Sequence, residues 1–306
     1  MKRLLSLLLV IAMLFGVCAM FTACDGSSAS SEKEEEKETE KEAPAEVLAS
    51  NIEQVKHIHM IGIGGSGMCP LAEILHSKGY ILSGSDNNES DPLKRVRKLG
   101  ATVYMGHNAE NIKGAELVVY SAAISADNPE LKAAREQGIP TMERSHLLGA
   151  LTRHYDNVIG VCGTHGKTST SSMITQILYL SNMDPSALIG GKLPLINSNG
   201  LCGKSEIFVC ESCEFVNTFL EMSPDISVLL NIDNDHLDYF KTMDNLLASF
   251  RKFVSMSKLV FYNGDDQLSF DAVKDLDIDI TLKSDSKAAK GLAAPIVNKV
   301  TEGKSS

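Results

Sequence analysis

The sequence predicts an α/β protein built from two consecutive domains, each with a parallel sheet. From about residue 47 onward, short apolar runs alternate with helical segments, which is the pattern of strands joined by crossover helices. Glycine-rich turns at residues 62–67 and 163–168 each follow an apolar run and open a helical segment. A chain of 306 residues has room for two domains of ordinary size.

The composition is that of a globular protein with apolar cores. Hydrophobic residues make up 43% of the chain and charged residues 22%. The formal net charge of −10 argues against a nucleic-acid-binding protein, and we expect no nucleic-acid partner. Half of that excess lies in residues 32–46, which contain eight Glu and three Lys.

The seven cysteines are an odd number and are scattered along the chain, which argues against a disulfide framework. We interpret five of them as small apolar residues. They are Cys69, Cys162, Cys202, Cys210 and Cys213. Two of these, Cys210 and Cys213, form a C-x-x-C pair, and we do not expect that pair to have a metal or redox role.

The first 46 residues have a different character. A basic start and an apolar stretch, long enough to span a bilayer, precede Thr22-Ala23-Cys24, which is similar to a lipoprotein cleavage box. We predict a signal or lipoprotein-like segment over residues 1–24 and a disordered acidic linker over 25–46. One hypothesis is genuine export with membrane attachment through Cys24. The favoured one is a misjoined or mis-started segment before a cytoplasmic enzyme.

The first predicted domain covers residues 47–153. Its helices have recognisable ends, since Asn128 and Pro129 begin one, and Gly100 and Gly138 each follow one. The predicted strands are 55–64, 80–86, 101–105 and 116–123, and the helices are 91–100 and 128–138.

The second predicted domain covers residues 154–306 and begins with another buried strand. The pattern fades after about Asp275, so we expect this domain to be incomplete. The predicted strands are 157–163, 206–211, 226–233 and 257–263, and the helices are 171–181 and part of 235–255.

The first glycine-rich turn matches G-x-G-x-x-G in the context of a strand and a helix. Gly62 permits the tight turn, Gly64 lets backbone N–H groups approach a pyrophosphate, and Gly67 allows close helix packing. Asp86 ends the next strand, near where a dinucleotide fold binds ribose. The motif therefore predicts a diphosphate ligand. NAD is the default interpretation, and a UDP-sugar would use the same physics.

The second turn, GTHGKT at 163–168, predicts an ATP site. It departs from the strict phosphate-loop pattern because Val161 replaces the first glycine. Lys167 can reach the β- and γ-phosphates, and the Thr168 hydroxyl can ligate Mg²⁺.

Two further residues, Glu211 and His236, follow strands whose carboxyl ends should converge on the ligand crevice. Both could face a magnesium nucleotide, although each alone is typical of an ordinary loop residue. We interpret the neighbouring acidic residues as solvated; they are Glu214, Asp233, Asp235 and Asp238. We interpret three histidines as ordinary local residues, His57, His59 and His107.

These motifs together resemble those of the Mur ligases, over about residues 47–275. Residues 57–68 are similar to the family's UDP-binding turn, 163–173 to its ATP loop, and 210–240 to the segment that brings a catalytic Glu and His to magnesium. The fold implied is a Rossmann-like UDP-binding domain followed by a P-loop central domain.

The resemblance implies a role for each matching residue. The UDP-sugar would contact Gly62, Gly64, Gly65, Ser66, Gly67, Met68, Asp86 and His165. ATP would contact Gly163, Thr164, His165, Gly166, Lys167, Thr168 and Ser169. The catalytic residues would be Lys167, Glu211 and His236, and the metal ligands Thr168, Glu211 and His236. Asn231 also matches the family, with a less defined role.

The implied reaction, closest to the alanine-adding member, joins L-alanine to UDP-N-acetylmuramate with ATP and Mg²⁺ in peptidoglycan biosynthesis. The family's third, amino-acid-binding domain has no counterpart here, so we expect a fragment or fused product that binds ligands but ligates poorly. Three alternatives stay open. They are a family member that adds a tripeptide to the same sugar, an NAD-dependent oxidoreductase, and an exported, non-catalytic sugar-nucleotide-binding lipoprotein.

Overall fold

The computed structural model describes residues 52–282. The predicted signal-like segment with Cys24, the acidic linker and the residues after 282 lie outside this range. Among the described residues, no helix combines the length and the apolar character that a bilayer crossing requires.

The first domain is a five-stranded sheet in which every pair of neighbours is parallel, in the order β3-β2-β1-β4-β5. Its strands are β1 (His57–Ile61), β2 (Ile81–Asp86), β3 (Thr102–Met105), β4 (Leu117–Tyr120) and β5 (Thr141–Glu143). Its helices are α1 (Met68–Ser77), α2 (Asp91–Lys98), α3 (Pro129–Glu136) and α4 (Arg144–Thr152). Short 3₁₀ segments cover Ile52–Gln54 and Ala109–Ile112.

The predicted helix ends of this domain are confirmed. The Asn128 side chain accepts hydrogen bonds from the backbone N–H groups of Glu130 and Leu131 at the start of α3. Gly100 and Gly138, which follow α2 and α3, have φ values of 97° and 67°. That left-handed backbone is the conformation in which glycine commonly ends a helix.

The second domain is a seven-stranded sheet in the order β12-β11-β10-β6-β9-β7-β8. Its strands are β6 (Asn157–Cys162), β7 (Ser186–Leu193), β8 (Ser198–Leu201), β9 (Ile207–Glu211), β10 (Ile226–Leu229), β11 (Leu259–Tyr262) and β12 (Asp279–Leu282). Its helices are α5 (Lys167–Leu180), α6 (Leu237–Phe240), α7 (Met243–Ser255) and α8 (Gln267–Val273), with a 3₁₀ segment at Phe215–Glu221.

This sheet is parallel as predicted, except that β7 and β8 form an antiparallel pair. The helix predicted from residue 171 begins four residues earlier, at Lys167. The strand predicted over 226–233 ends at Leu229, because the chain leaves the sheet there to contact the second glycine-rich turn. Strand β12 continues the parallel pairing beyond Asp275, where the sequence pattern fades.

The two domains share a hydrophobic core. One apolar cluster includes Leu71 and Leu75 of α1 together with Tyr155 and Phe208 of the second domain. The Asn199 side chain also donates a hydrogen bond of 2.6 Å to the carbonyl of Ser66, in the first glycine-rich turn. The relative placement of the two domains is therefore set by packed contacts.

The interpretation of the cysteines is confirmed for three residues and wrong for two. Cys69, Cys162 and Cys210 are buried, whereas Cys202 and Cys213 are exposed. Burial raises the pKa of Cys69 and of Cys210 to about 12, so these thiols stay protonated near neutral pH.

A buried carboxylate organises the polar interior of the first domain. Glu130 is fully buried at the start of α3 and accepts hydrogen bonds of 2.5 Å from Ser85 and Asn111 and of 3.2 Å from His107. Burial alone would raise the pKa of Glu130. The contacts from His59, Ser85 and Asn111 outweigh burial and lower the pKa to about 2.

We predict that Glu130→Gln destabilises the protein by about 1–3 kcal/mol at pH 7, because the donors around a buried carboxylate lose its charge. The pKa of Glu130 is lower in the folded state than the value of about 4.3 in an unfolded chain. Ionised Glu130 therefore stabilises the fold above about pH 4.5, and this contribution is lost as the pH falls toward 2.

Urea unfolding at pH 7 and at pH 4 tests this prediction. The wild type should lose stability between the two values and the Glu130→Gln variant should lose less. Glu136→Gln, which changes an exposed residue of the same helix, is the matched control. Equal unfolding midpoints for wild type and Glu130→Gln at pH 7 would contradict the prediction.

Candidate functional site

The second glycine-rich turn forms a tight loop at the carboxyl end of β6. Gly163 has φ of 130° and Gly166 has φ of 85°, values that L side chains rarely adopt. A Cβ atom on Gly163 would lie 2.9 Å from the carbonyl oxygen of Asn231. Both glycines are therefore required by the loop conformation, and α5 begins directly after it at Lys167.

The residues that follow β10 hold this loop in place. The Asn231 amide accepts a 2.8 Å hydrogen bond from the backbone N–H of His165 and donates one of 3.0 Å to the His165 carbonyl. The Thr164 N–H donates to the Asn231 carbonyl, and the Asp233 N–H donates to the Thr164 hydroxyl. Asn231, whose role the sequence left undefined, thus fixes the loop backbone from both sides.

Lys167 points into the loop and pairs with a buried glutamate. Its Nζ donates to the carbonyls of Gly163 and Thr164 at 2.6 and 3.2 Å, and to Glu214 Oε2 at 2.9 Å. Glu214 is only 1% exposed, so the prediction that it is solvated is wrong. The irregular backbone after β9 carries Glu214 back over the loop, and strand periodicity could not reveal this.

Glu214 also belongs to a group with the composition of a cation site. Oxygen or nitrogen atoms of Glu214, Asp235 and His236 all lie within 4.8 Å of one another. Asp235 and His236 are half-buried, so Asp235 is not the fully solvated residue that the sequence suggested. Carboxylate oxygens are the ligands that Mg²⁺ prefers, and this group contains two carboxylates. The residues present therefore fit Mg²⁺, although Lys167 is the cation that compensates Glu214 in this structure.

Glu211, the other predicted metal ligand, faces a different neighbour. Its Oε2 accepts a 2.8 Å hydrogen bond from the backbone N–H of Gly190 in β7. At the next residue, Gly191, a Cβ atom would lie 3.1 Å from the Thr168 methyl group. Glu211 thus ties β7 beside the helix of the phosphate loop, and its predicted metal role stays a prediction.

The backbone around the cation group is strained. Val216, Asn217 and His236 have φ values of 54°, 59° and 54°. A left-handed conformation is unusual for a β-branched residue such as Val216 and costs of order 1–3 kcal/mol. The Asn217 amide donates to the Tyr239 hydroxyl at 3.2 Å, and the Phe215 ring lies 4.8 Å from the His236 ring. Such strain is typical of functional sites.

The first glycine-rich turn is held by the end of β2. The N–H of Gly62 donates to the Ser85 carbonyl at 2.8 Å, and the N–H of Gly64 donates to Asp86 Oδ2 at 3.0 Å. A Cβ atom on Gly64 would lie 2.9 Å from that same Asp86 oxygen. Asp86 therefore shapes the turn directly, a contact that the motif did not indicate.

The remaining predicted site residues fall on both turns. Gly65 donates its N–H to the Gly62 carbonyl, and Met68 is buried at the start of α1. The His165 ring is 70% exposed, with its Nε2 3.9 Å from Asp233 Oδ2. Ser169 is exposed on α5. The structure thus brings Lys167 and His236 close to one buried carboxylate, Glu214, and turns the Glu211 carboxylate to β7.

Two family models match the chain. The model described as "Mur ligase family, catalytic domain" matches residues 57–156. The model described as "Mur ligase middle domain" matches residues 161–306. Together they cover most of the chain, and the second match extends past Asp275.

Similar proteins include two UDP-N-acetylmuramate–L-alanine ligases. The one from Alkaliphilus metalliredigens is 47% identical over 209 residues, which are 68% of this chain and 45% of that protein. The one from Acetivibrio thermocellus is 45% identical over 248 residues, 79% of this chain and 52% of that protein. The chain thus spans about half the length of these curated relatives.

Two solved structures have similar folds. The UDP-N-acetylmuramate-alanine ligase of Thermotoga maritima has a TM-score of 0.66 and 31% identity, covering 71% of this chain and 51% of that one. The Neisseria meningitides UDP-N-acetylmuramate:L-alanyl-gamma-D-glutamyl-meso-diaminopimelate ligase has a TM-score of 0.66 and 28% identity, covering 74% of this chain and 78% of that one.

We predict that Asn231→Ala weakens Mg-ATP binding about tenfold, because two hydrogen bonds that hold the His165 backbone are lost. Isothermal titration with the non-hydrolysable analogue AMP-PNP and Mg²⁺ measures this. Asn234→Ala, an exposed neighbour in the same segment, is the control and should bind like the wild type. Equal dissociation constants for the two variants would show that the loop holds its shape without Asn231.

We also predict that Glu214→Gln raises the Mg²⁺ concentration needed for nucleotide binding by about tenfold or more, because the cation group loses its buried charge. Glu211→Gln should change this concentration much less. Nucleotide titrations at a series of Mg²⁺ concentrations compare the two variants. A larger increase in the Mg²⁺ requirement for Glu211→Gln than for Glu214→Gln would contradict this prediction and favour Glu211 as the metal ligand.

Proposed function

The chain belongs to the Mur ligase family, and on this basis we propose that it takes part in the ATP-dependent joining of L-alanine to UDP-N-acetylmuramate in peptidoglycan biosynthesis. The contact between Lys167 and Glu214 is the observation that most supports ATP binding in this proposal. It combines a phosphate-loop cation with a buried carboxylate that belongs to a group of possible cation ligands.

In this proposal each charge at the loop exchanges its partner when nucleotide binds. The Lys167 ammonium leaves Glu214 and the loop carbonyls for the β- and γ-phosphate oxygens. Glu214, Asp235 and the Thr168 hydroxyl would hold Mg²⁺, with His236 at the edge of the group. The metal ion would supply positive charge that offsets the phosphate oxygens. The metal ion would then take the place of Lys167 as the positive charge beside the buried Glu214 carboxylate.

The proposed reaction has two steps, phosphoryl transfer to the sugar and then amide formation. A carboxylate oxygen of the sugar's lactyl group forms a bond to the γ-phosphorus while the bond between that phosphorus and ADP breaks. The amine of L-alanine then bonds to the carbonyl carbon of the acyl phosphate, inorganic phosphate leaves, and the amine loses a proton. The protein contributes positioning and electrostatic stabilisation, which supply most of the catalysis in phosphoryl transfer.

The sugar nucleotide would bind at the first glycine-rich turn, with its diphosphate near the backbone of residues 62–67. L-Alanine is proposed over a tripeptide because curated relatives at 45–47% identity have the alanine-adding name. ATP is found inside the cell, so we propose that the ligase module works on the cytoplasmic side. The family match favours this ligase reaction over NAD-dependent oxidoreduction.

Phosphate release by the full chain tests the proposal, with Mg-ATP, UDP-N-acetylmuramate and L-alanine each omitted in turn. We expect release to require ATP and the sugar nucleotide, and to fall at least a hundredfold in Lys167→Ala. Release that needs all three shows a complete ligase. Binding of both nucleotides without any release would instead support a non-catalytic sugar-nucleotide-binding protein.

A further inference from the structure

An arginine outside the two glycine-rich turns and the 210–240 segment lies at the crevice of the first domain. Arg144 opens α4 directly after β5, at the carboxyl edge of the sheet. The strand order β3-β2-β1-β4-β5 reverses direction between β1 and β4, and ligands of such sheets bind at that point. The glycine-rich turn follows β1 on one side of the crevice, and Arg144 comes from the β4–β5 side.

The Arg144 side chain lies directly against the glycine-rich turn. Its Cδ, Nε and Nη1 atoms are each 3.3 Å from the position that a Cβ atom on Gly67 would occupy. A side chain at position 67 would therefore compete with the guanidinium for space. This contact gives the third glycine of the motif a second use, since its missing side chain leaves room for a cation beside the turn.

The guanidinium of Arg144 forms no ion pair within the described part of the chain. Arg144 is half-buried, and no acceptor among residues 52–282 forms a hydrogen bond or ion pair with it. By contrast, Arg95 bonds to Glu73 at 3.0 Å and Arg97 bonds to Glu89 at 2.6 Å. A partly desolvated cation without a partner is costly, so an anionic ligand would stabilise it.

Arg144 also lies where the first turn meets the second domain. Its positive charge opposes the effect of burial on the pKa of the Cys210 thiol, which precedes Glu211 at the end of β9. The neighbouring Ser66 carbonyl accepts the hydrogen bond from Asn199 of β8. The guanidinium is therefore on the side of the turn that faces the central domain and its ATP loop.

We propose that Arg144 binds an oxyanion of the sugar nucleotide, either its diphosphate or the carboxylate on its sugar. This inference rests on the proposed function and adds a ligand-binding residue to it. A guanidinium presents two parallel N–H donors that match carboxylate and phosphate oxygens in a bidentate arrangement. Because Gly67 has no side chain, the guanidinium lies directly beside the turn, where an anion held by the turn's N–H groups would be within its reach.

The test compares the full chain with Arg144→Met, which keeps the apolar stem of the side chain but removes the charged guanidinium. Isothermal titration is carried out with UDP, UDP-N-acetylglucosamine and UDP-N-acetylmuramate. The first two contain the diphosphate without the lactyl carboxylate. We expect Arg144→Met to bind UDP-N-acetylmuramate at least tenfold more weakly, a loss typical of a charge-assisted hydrogen bond. Arg97→Met, which removes a cation paired with Glu89, is the matched control.

The ligand series identifies the anion. An equal loss for all three ligands assigns Arg144 to the diphosphate, and a loss confined to UDP-N-acetylmuramate assigns it to the carboxylate. Arg144→Lys should recover part of the affinity, and it replaces the methionine variant if that variant does not fold. Unchanged binding of all three ligands by folded Arg144 variants overturns the inference alone. A wild-type chain that binds none of them overturns the proposed function as well.

Discussion

The pairing of β6 on both sides is the constraint on which the candidate site depends. Hydrogen bonds fix β6 in register with β9 and β10, so that Val161 lies opposite Glu211 and Cys162 opposite Leu229. Because all three strands are parallel, their carboxyl ends reach the same edge of the sheet. The phosphate loop, the segment with Glu214 and the segment with Asn231 all leave the sheet from that edge, which is why they meet.

The sequence predicted the regular part of this arrangement well. Apolar strands such as β1 and β6 and well-capped helices such as α3 were found, because burial and capping leave strong local patterns. Strands β5 (Thr141–Glu143) and β8 (Ser198–Leu201) were missed because so short a run has no clear periodicity. The longer strand β7 (Ser186–Leu193) was also missed, and two consecutive glycines, Gly190 and Gly191, interrupt its apolar run.

The sequence identified the residues at the centre of the candidate site but missed others that lie against them, and the predicted roles stay predictions. The glycines and Lys167 were recognisable because a phosphate loop needs those residues at fixed spacing. Glu214 and Arg144 were not, because each reaches the site through a tertiary contact and has no motif of its own. Glu214 follows a strand by three residues and turns back over the loop, while Arg144 comes from a strand two places away in the sheet.

The packed contact between the domains limits which ligands could contact both glycine-rich turns. Leu71, Leu75, Tyr155 and Phe208 share one core, and Asn199 ties the second domain to the first glycine-rich turn. The separation of the two glycine-rich turns is therefore built into the interior of the protein. A ligand that contacted both turns, as the proposed function requires of the two substrates together, would have to match that separation in length.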